Sequence, residues 1–226
     1  MWGRPISSHS FPGDPRFFLL VAVFFLGGLT AGAAVVHSLN AEQSAELSQF
    51  LDLSLAGLVS GSLEGMALVR KAWGQNLSYV LLLGFLGLTA VGVPAVLALL
   101  AWRGFTLGFT VGFLITDKAG TGLLLSALAV LPANVFYVPG FLLVGTGAAT
   151  LSWHLMRGGR FSFPLSWWEQ FRNYLAVVVV AMLLVGVGGL IEAYAAPAVI
   201  RWLLSPLLPG GRISDLGVEL MLGLGQ

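Results

Sequence analysis

The feature that most constrains this chain is the stretch from Asn76 to Met156, where 81 residues carry only three formal charges: Arg103, Asp117 and Lys118. A water-soluble domain of this size could not hold such a run, because the run has no polar face to present to water. In a lipid bilayer every backbone N–H and C=O must bond within the protein, so a stretch this apolar predicts membrane-spanning helices. Charged residues make up 9% of the whole chain, against roughly 25% in soluble domains. The sequence therefore predicts an integral membrane protein surrounded by membrane lipid.

Composition also argues against several classes of function. The net charge of +1 provides no field that would attract nucleic acid. The chain has no cysteine, which excludes disulfides and sites that need Cys ligands. The motifs HExxH, GxxxxGK[ST] and GxSxG are absent. No catalytic residue, cofactor or metal is therefore predicted, and the chain is not expected to be an enzyme.

Five apolar blocks predict an all-α polytopic fold, built as a single membrane domain over residues 1–226. The blocks are Phe17–Val36, Leu77–Ala101, Phe105–Ile115, Leu123–Leu155 and Tyr174–Ala196. The third block is short for a crossing, and the fourth is long and contains Pro132 and Pro139, where kinks or unwinding are expected. We therefore expect about five transmembrane helices with short or broken helices in the middle. As an alternative, the third block and the front of the fourth form two half-helices packed inside the protein.

A cluster of basic residues predicts the orientation. Arg157, Arg160 and Arg172 lie in one short loop, and such loops stay on the cytoplasmic side. With five crossings, the N-terminus and Arg103 are then inside and the loop Leu39–Gln75 is outside. The first block is about 20 residues long, which favours an uncleaved helix over a signal peptide.

The external loop contains a predicted amphipathic helix. Its apolar side chains recur at helical spacing on one face: Leu47, Phe50, Leu51, Leu55 and Leu58. Asn40 followed by Gln43 resembles a capping box at the start of this helix. The polar face is acidic, which argues against binding to anionic lipid. A partner protein, a second copy of the chain or the protein's own bundle is the expected contact.

Polar side chains within the apolar blocks are candidate functional residues. A carboxylate inside a membrane helix is costly, so Glu192 should face the bundle and be paired or protonated. His37 is expected at the same depth, and a His–Glu hydrogen bond, a metal site, a proton-coupled site and a structural contact remain open. A lone His–Glu pair is a weak metal signal, because zinc sites generally use three or four protein ligands. Asn134 and Tyr137, between the two prolines of the fourth block, are the candidates for lining a solute pathway.

Glycines recur every four residues at Gly104, Gly108 and Gly112. On one face of a helix this spacing lets a second helix approach at close backbone distance. The stripe predicts helix packing, either within the chain or across a homodimer.

Four segments resemble the stage II sporulation protein M family. They are FLGGLTAGAAVVHSLN, NLSYVLLLGFLGLTAVGVPAVLALLAWRGFTLGFTVGFLI, LPANVFYVPGFLLVGTGA and IEAYAAP, in this order between about Phe17 and Pro197. Broader relatives carry a Pro-His-Gly type sequence followed by Glu where this chain has Pro132-Ala133-Asn134, which is similar to the sporulation branch of the family.

The resemblance implies a non-catalytic membrane scaffold of endospore-forming bacteria. Such a scaffold recruits two peptidoglycan hydrolases, stage II sporulation proteins D and P, to the septum during forespore engulfment. It would lie in the mother-cell septal and engulfing membrane. The alternative is a permease or channel component for a small solute or ion, because transporters also contain broken helices and intramembrane carboxylates.

Overall fold

The computed structural model describes residues 14–59, 65–157 and 166–204, and these residues are almost entirely helical. The helices are α1 (Pro15–Val35), α2 (Ala41–Val59), α3 (Gly65–Gly87), α4 (Gly92–Leu125), α5 (Leu131–Arg157) and α6 (Ser166–Leu204). Four described segments are long and apolar enough to cross a membrane: 15–38, 92–118, 120–156 and 171–200. The predicted all-α polytopic membrane fold is confirmed.

Local sequence signals explain where the first two helices begin. The Asp14 side chain accepts a hydrogen bond from the Arg16 N–H, and Pro15 occupies the first helical position, where its missing N–H costs nothing. At the start of α2, the Gln43 N–H donates to Asn40 Oδ1 at 2.8 Å and the Asn40 N–H donates to Gln43 Oε1 at 3.2 Å. The predicted capping box is confirmed.

Helices α4 and α5 form an antiparallel pair. The Val93 N–H, at the start of α4, donates to the hydroxyl of Ser152 near the end of α5, at 3.2 Å. Further along, Leu100 packs against Gly145. The chain must therefore reverse between the two helices.

Helix α3 runs through the same bundle, antiparallel to α6. The Tyr174 hydroxyl donates to the Gly84 carbonyl at 2.6 Å, and the Trp73 Nε1–H donates to the Gly186 carbonyl at 3.0 Å. Helix α3 has 23 residues and also packs along α5. Its first half contains Arg70, Lys71 and Gln75, and α3 is not among the four candidate spans, so a fifth crossing by α3 stays a prediction.

The structure differs from the predicted second block, Leu77–Ala101, which is divided between α3 and α4 by a tight turn at residues 88–91. The Ser152 hydroxyl donates to the Thr89 carbonyl at 2.8 Å while accepting from the Val93 N–H. This side chain satisfies backbone groups that the turn leaves open, and the Thr89 hydroxyl within the turn donates to the Leu86 carbonyl at 2.8 Å. A break without a change in hydropathy is invisible to a search for apolar blocks.

The third block, Phe105–Ile115, is not a separate short helix, because α4 continues through it from Gly92 to Leu125. The reversal towards α5 lies within the last turns of α4, near Gly120, where the candidate spans 92–118 and 120–156 separate. A Cβ on Gly122 would lie 1.8 Å from the Leu114 carbonyl oxygen, whereas residues eight apart in a straight helix are separated by about 12 Å. The chain thus folds back where glycine allows the two arms to touch.

The predicted placement of Arg103 in a cytoplasmic loop is wrong. Arg103 lies inside α4, within the candidate span 92–118. It is followed by Gly104 rather than by a turn-forming pair, and its side chain finds polar and aromatic partners on neighbouring helices.

The two prolines of the fourth block, where kinks or unwinding are predicted, lie in helical structure. A π-helical segment, Ser126–Val130, precedes Pro132, and the Leu131 N–H closes it by donating to the Ser126 carbonyl. Because proline has no N–H and crowds the preceding turn, a widened turn is one way to accommodate it. Pro139 lies inside α5, which continues through it.

Candidate functional site

A glycine seam joins α1 to α4, and the predicted stripe lies in it. A Cβ on Gly104 would lie 2.1 Å from the Phe25 carbonyl oxygen, and one on Gly108 would lie 2.0 Å from that of Leu29. The order of these contacts shows that α1 and α4 run parallel. Gly112 is looser, with its nearest neighbour at 3.2 Å.

The seam is built from both sides. A Cβ on Gly28 would lie 1.9 Å from the Ala101 carbonyl oxygen, and one on Gly32 would lie 2.1 Å from that of Phe105. Because glycine has no Cβ, the two backbones can come into direct contact at each of these positions. The stripe therefore packs within the chain, and a homodimer, which stays a prediction, would need another surface.

Arg103 is the central feature of an intramembrane site. It lies about 16 Å along the helix from Gly92 and about 22 Å from Lys118, at a rise of about 1.5 Å per residue. Its Nη2 donates to Asn76 Oδ1 on α3 at 2.5 Å. Asn76 is buried, and its own amide donates to the Ala72 carbonyl at 2.9 Å, which fixes the acceptor oxygen towards the guanidinium.

Two aromatic rings flank the guanidinium. The Arg103 Cζ lies 5.0 Å from the centre of the Phe141 ring and 5.8 Å from that of the Tyr79 ring. The Tyr79 hydroxyl donates to the Leu99 carbonyl on α4. Contacts of a cation with ring faces are strengthened where water is excluded. Helices α3, α4 and α5 thus meet at this one charge.

A carboxylate completes the site from α6. The Tyr137 hydroxyl donates to Glu192 Oε2 at 2.5 Å, and the Tyr137 ring stacks on Phe141 with centroids 6.0 Å apart. Tyr137 thus links Glu192 to Phe141, whose ring lies against the Arg103 guanidinium. Within the described parts of the chain, however, no nitrogen of Arg103 lies within 4.0 Å of a carboxylate oxygen. The intramembrane polar cluster, as we call Asn76, Tyr79, Arg103, Tyr137 and Glu192, therefore contains two opposite charges that are not in direct contact.

Of the predicted intramembrane residues, the structure brings Tyr137 and Glu192 together and leaves the other two outside the cluster. The Asn134 amide donates to the Val130 carbonyl at 2.8 Å, so it bonds within its own helical turn. His37 is exposed in a short 3-10 turn after α1. No group of three or more metal-ligating side chains occurs among the described residues.

The predicted external helix is α2, which contacts α6. Phe50 is 72% exposed, whereas Leu47 and Leu51 are half-buried. The side chains of Leu55 and Leu58 lie outside the described residues. Among the described side chains of the predicted face, Phe50 is thus the one most available to a partner.

An ion pair ties α2 to the end of α4. The Lys118 Nζ lies 2.8 Å from Asp52 Oδ1 and 3.2 Å from Asp117 Oδ2. Both partners of the first pair are partly exposed, so this contact contributes little to stability and serves mainly to orient α2.

Sequence reasoning missed Arg103, Asn76 and Tyr79 as site residues. Arg103 separates two of the predicted apolar blocks, because a lone charge between apolar runs resembles a loop. The absence of any Pro, Asn or Asp beside Arg103 favours a continuous helix and could have located it. Its partners are separated from it by 27 and 24 positions in the chain, and no local pattern encodes that contact.

A model of a protein family described as SpoIIM: Stage II sporulation protein M matches residues 21–197. The matched stretch contains the whole glycine seam, α2 and every residue of the intramembrane polar cluster. No curated protein and no solved structure matches the chain.

Proposed function

Because this chain belongs to the stage II sporulation protein M family, a family of sporulation-related membrane proteins, we propose that it is a non-enzymatic scaffold for peptidoglycan hydrolases. The hydrolases would resemble stage II sporulation proteins D and P. The scaffold would hold them in the mother-cell septal and engulfing membrane while the forespore is engulfed. The observation that carries the proposal is the exposed Phe50 on α2, an aromatic side chain presented at the end of the bundle.

The orientation of the bundle supports an extracytoplasmic α2. Arg16, Arg157 and Arg172 lie at the end of the bundle where α1 begins, α5 ends and α6 begins. By the positive-inside rule this end is cytoplasmic. Helix α2 lies at the opposite end, where Asp52 meets Lys118. Wall hydrolases act outside the membrane, so a surface on this side is the one they can reach.

Recruitment is tested by removing the Phe50 ring. We expect Phe50→Ala to leave the amount of inserted protein unchanged, because the side chain is exposed, and to weaken co-purification of the hydrolases by at least tenfold, equivalent to about 1.4 kcal/mol and within the range of an aromatic hot spot. Gln49→Ala is the matched control, an exposed neighbour on the same helix. Normal recruitment by the Phe50→Ala protein at normal abundance would exclude this surface.

Topology is tested with single cysteines, since the chain has none of its own. Ser54 is exposed on α2, and Ala90 is exposed in the turn between α3 and α4. An impermeant thiol reagent applied to intact cells should label Ser54→Cys and spare Ala90→Cys, while both should react after permeabilisation. The opposite pattern would place α2 in the cytoplasm, and labelling of both in intact cells would contradict a fifth crossing by α3. A second expected protected site, Ser162, lies outside the described residues.

A permease or channel component is the second candidate function. Arg103 and Glu192 favour it, since ionisable residues inside spans often mark the path of a solute or ion. The apolar layer on the cytoplasmic side of Arg103 argues against a continuous path, because Val21, Leu100 and Val144 are each 0% exposed there. Flux through reconstituted protein that Glu192→Gln abolishes would favour the permease over the scaffold.

A further inference from the structure

We propose that Arg103 is the centre of a binding site for a ligand with an anionic oxygen group, a carboxylate or a phosphate. The site lies inside the bundle and uses the intramembrane polar cluster. It is separate from the recruitment surface on α2.

The Arg103 guanidinium has more hydrogen-bond donors than the described residues use. An arginine side chain carries five N–H donors, and Asn76 is its only hydrogen-bond acceptor among the described residues. None of the described side-chain atoms that are buried without a partner belongs to Arg103. The nitrogens without an acceptor are therefore not completely enclosed by the described parts of the protein.

The surroundings of the guanidinium hold it in one orientation. Asn76 holds one edge of the guanidinium, and the rings of Tyr79 and Phe141 flank it. A planar guanidinium held in this way presents its free donors as a fork, the arrangement that binds carboxylate and phosphate oxygens in pairs. Burying a cation at this depth without a ligand is costly.

Packing differs between the two sides of Arg103. Towards the cytoplasm, one turn below Arg103, Leu100 packs so closely on α5 that a Cβ on Gly145 would lie 2.5 Å from its Cδ1. Val21 and Val144 are fully buried in the same layer. In the other direction Glu192 is exposed. The site is thus closed on its cytoplasmic side, and on the other side its polar side chains continue to the exposed Glu192.

Glu192 acts as the electrostatic counterpart of the site. Its carboxylate is held by the Tyr137 hydroxyl and is not in contact with Arg103. A nearby negative charge weakens the binding of an anion, so removing it should strengthen binding. A purely structural ion pair predicts the reverse, because loss of Glu192 would then leave Arg103 uncompensated.

Thermal unfolding of the full-length protein in neutral detergent tests the site. Sodium phosphate or sodium acetate is compared with sodium chloride at equal ionic strength, and a separate series adds phosphatidylglycerol to the micelles. Near saturation we expect one of these anions to raise Tm by about 3 °C. A shift with phosphate or acetate assigns a water-borne ligand, and a shift with phosphatidylglycerol alone assigns a lipid phosphate, whose source is the membrane itself.

Variants decide whether Arg103 is responsible. Arg103→Gln should abolish the shift, Arg103→Lys should retain part of it, and Glu192→Gln should lower the anion concentration at half-effect about fivefold. Arg70→Gln is the matched control, because Arg70 is an exposed cation on α3. If Arg103→Gln does not accumulate, the comparison of Glu192→Gln with the unaltered protein still shows whether the loss of this carboxylate strengthens anion binding, as the proposal requires.

Three results would overturn the proposal. One is the absence of any anion-specific shift, and another is an equal shift in Arg103→Gln and the unaltered protein. The third is a pattern in which Arg103→Gln and Glu192→Gln each lower the stability, the double variant restores it, and no anion changes Tm. That pattern would show that the two charges only compensate each other.

Discussion

The glycine seam and the intramembrane polar cluster hold the same bundle together by opposite means. In the seam, α1 and α4 touch through backbone atoms, and the contribution of glycine is the space that it does not occupy. In the cluster, α3, α4, α5 and α6 touch through long polar and aromatic side chains that reach across the gap. The seam is intolerant of added volume, whereas the cluster is intolerant of lost polar groups.

The two regions also differ in what lipid surroundings demand of them. Lipid tails give helices no hydrophobic reason to associate, so the seam relies on close van der Waals contact. The cluster instead brings a cation and a carboxylate out of water, and each needs partners to be tolerated. A helix such as α4 can serve both regions because Gly104 and Arg103 lie on different faces of it.

The largest effect is expected from adding volume to the seam. Gly28→Ala places a Cβ 1.9 Å from the Ala101 carbonyl oxygen, whereas Gly27→Ala meets nothing within 4 Å. The first change should cost about 3 kcal/mol of unfolding free energy, at the upper end of overpacking effects, and the second should cost nothing measurable. Unfolding in mixed micelles and the abundance of inserted protein measure both. Equal stability of the two variants would contradict backbone contact in the seam.

A smaller effect is expected from removing one hydroxyl in the cluster. Tyr137→Phe keeps the ring that stacks on Phe141 but loses the hydrogen bond to Glu192. Loss of a hydrogen bond to a charged group should cost about 2 kcal/mol. Tyr194→Phe is the control, since Tyr194 is 57% exposed. If both tyrosine variants melt together with the unaltered protein, the Tyr137–Glu192 bond does not contribute to stability.

The smallest effect is expected at the edge of the cluster, where Trp73 ties α3 to α6. Trp73→Phe removes the Nε1–H that donates to the Gly186 carbonyl and should cost about 1 kcal/mol. Trp102→Phe serves as the control, because Trp102 is 62% exposed and can retain its ring stacking on Phe105. A loss at Trp102 as large as that at Trp73 would show that ring size, and not the hydrogen bond, matters here.

The regions differ in how far they could be predicted. The glycine stripe is predicted by a spacing of four residues within one helix, and the capping box of α2 is predicted by a spacing of three. Both patterns can therefore be recognised within a few residues of sequence. Sequence reasoning could not choose between internal packing and dimerisation for the stripe, because the contacting residues of α1 lie 79 positions away in the chain. It placed Arg103 in a loop for a related reason: a charge between two apolar runs has no polar partner within its own helical turn.

By itself, the sequence determined that the chain is helical and lies in a membrane, since hydropathy and the need to satisfy backbone hydrogen bonds act along short segments. It also determined the family, whose motifs recur in order along the chain. Only the tertiary structure decided that Arg103 meets Asn76 and that Tyr137 holds Glu192. Those contacts depend on the directions of four helices and on the depth of each residue in the bundle. The role of a charge inside a membrane therefore depends on the partner that helix packing brings to it.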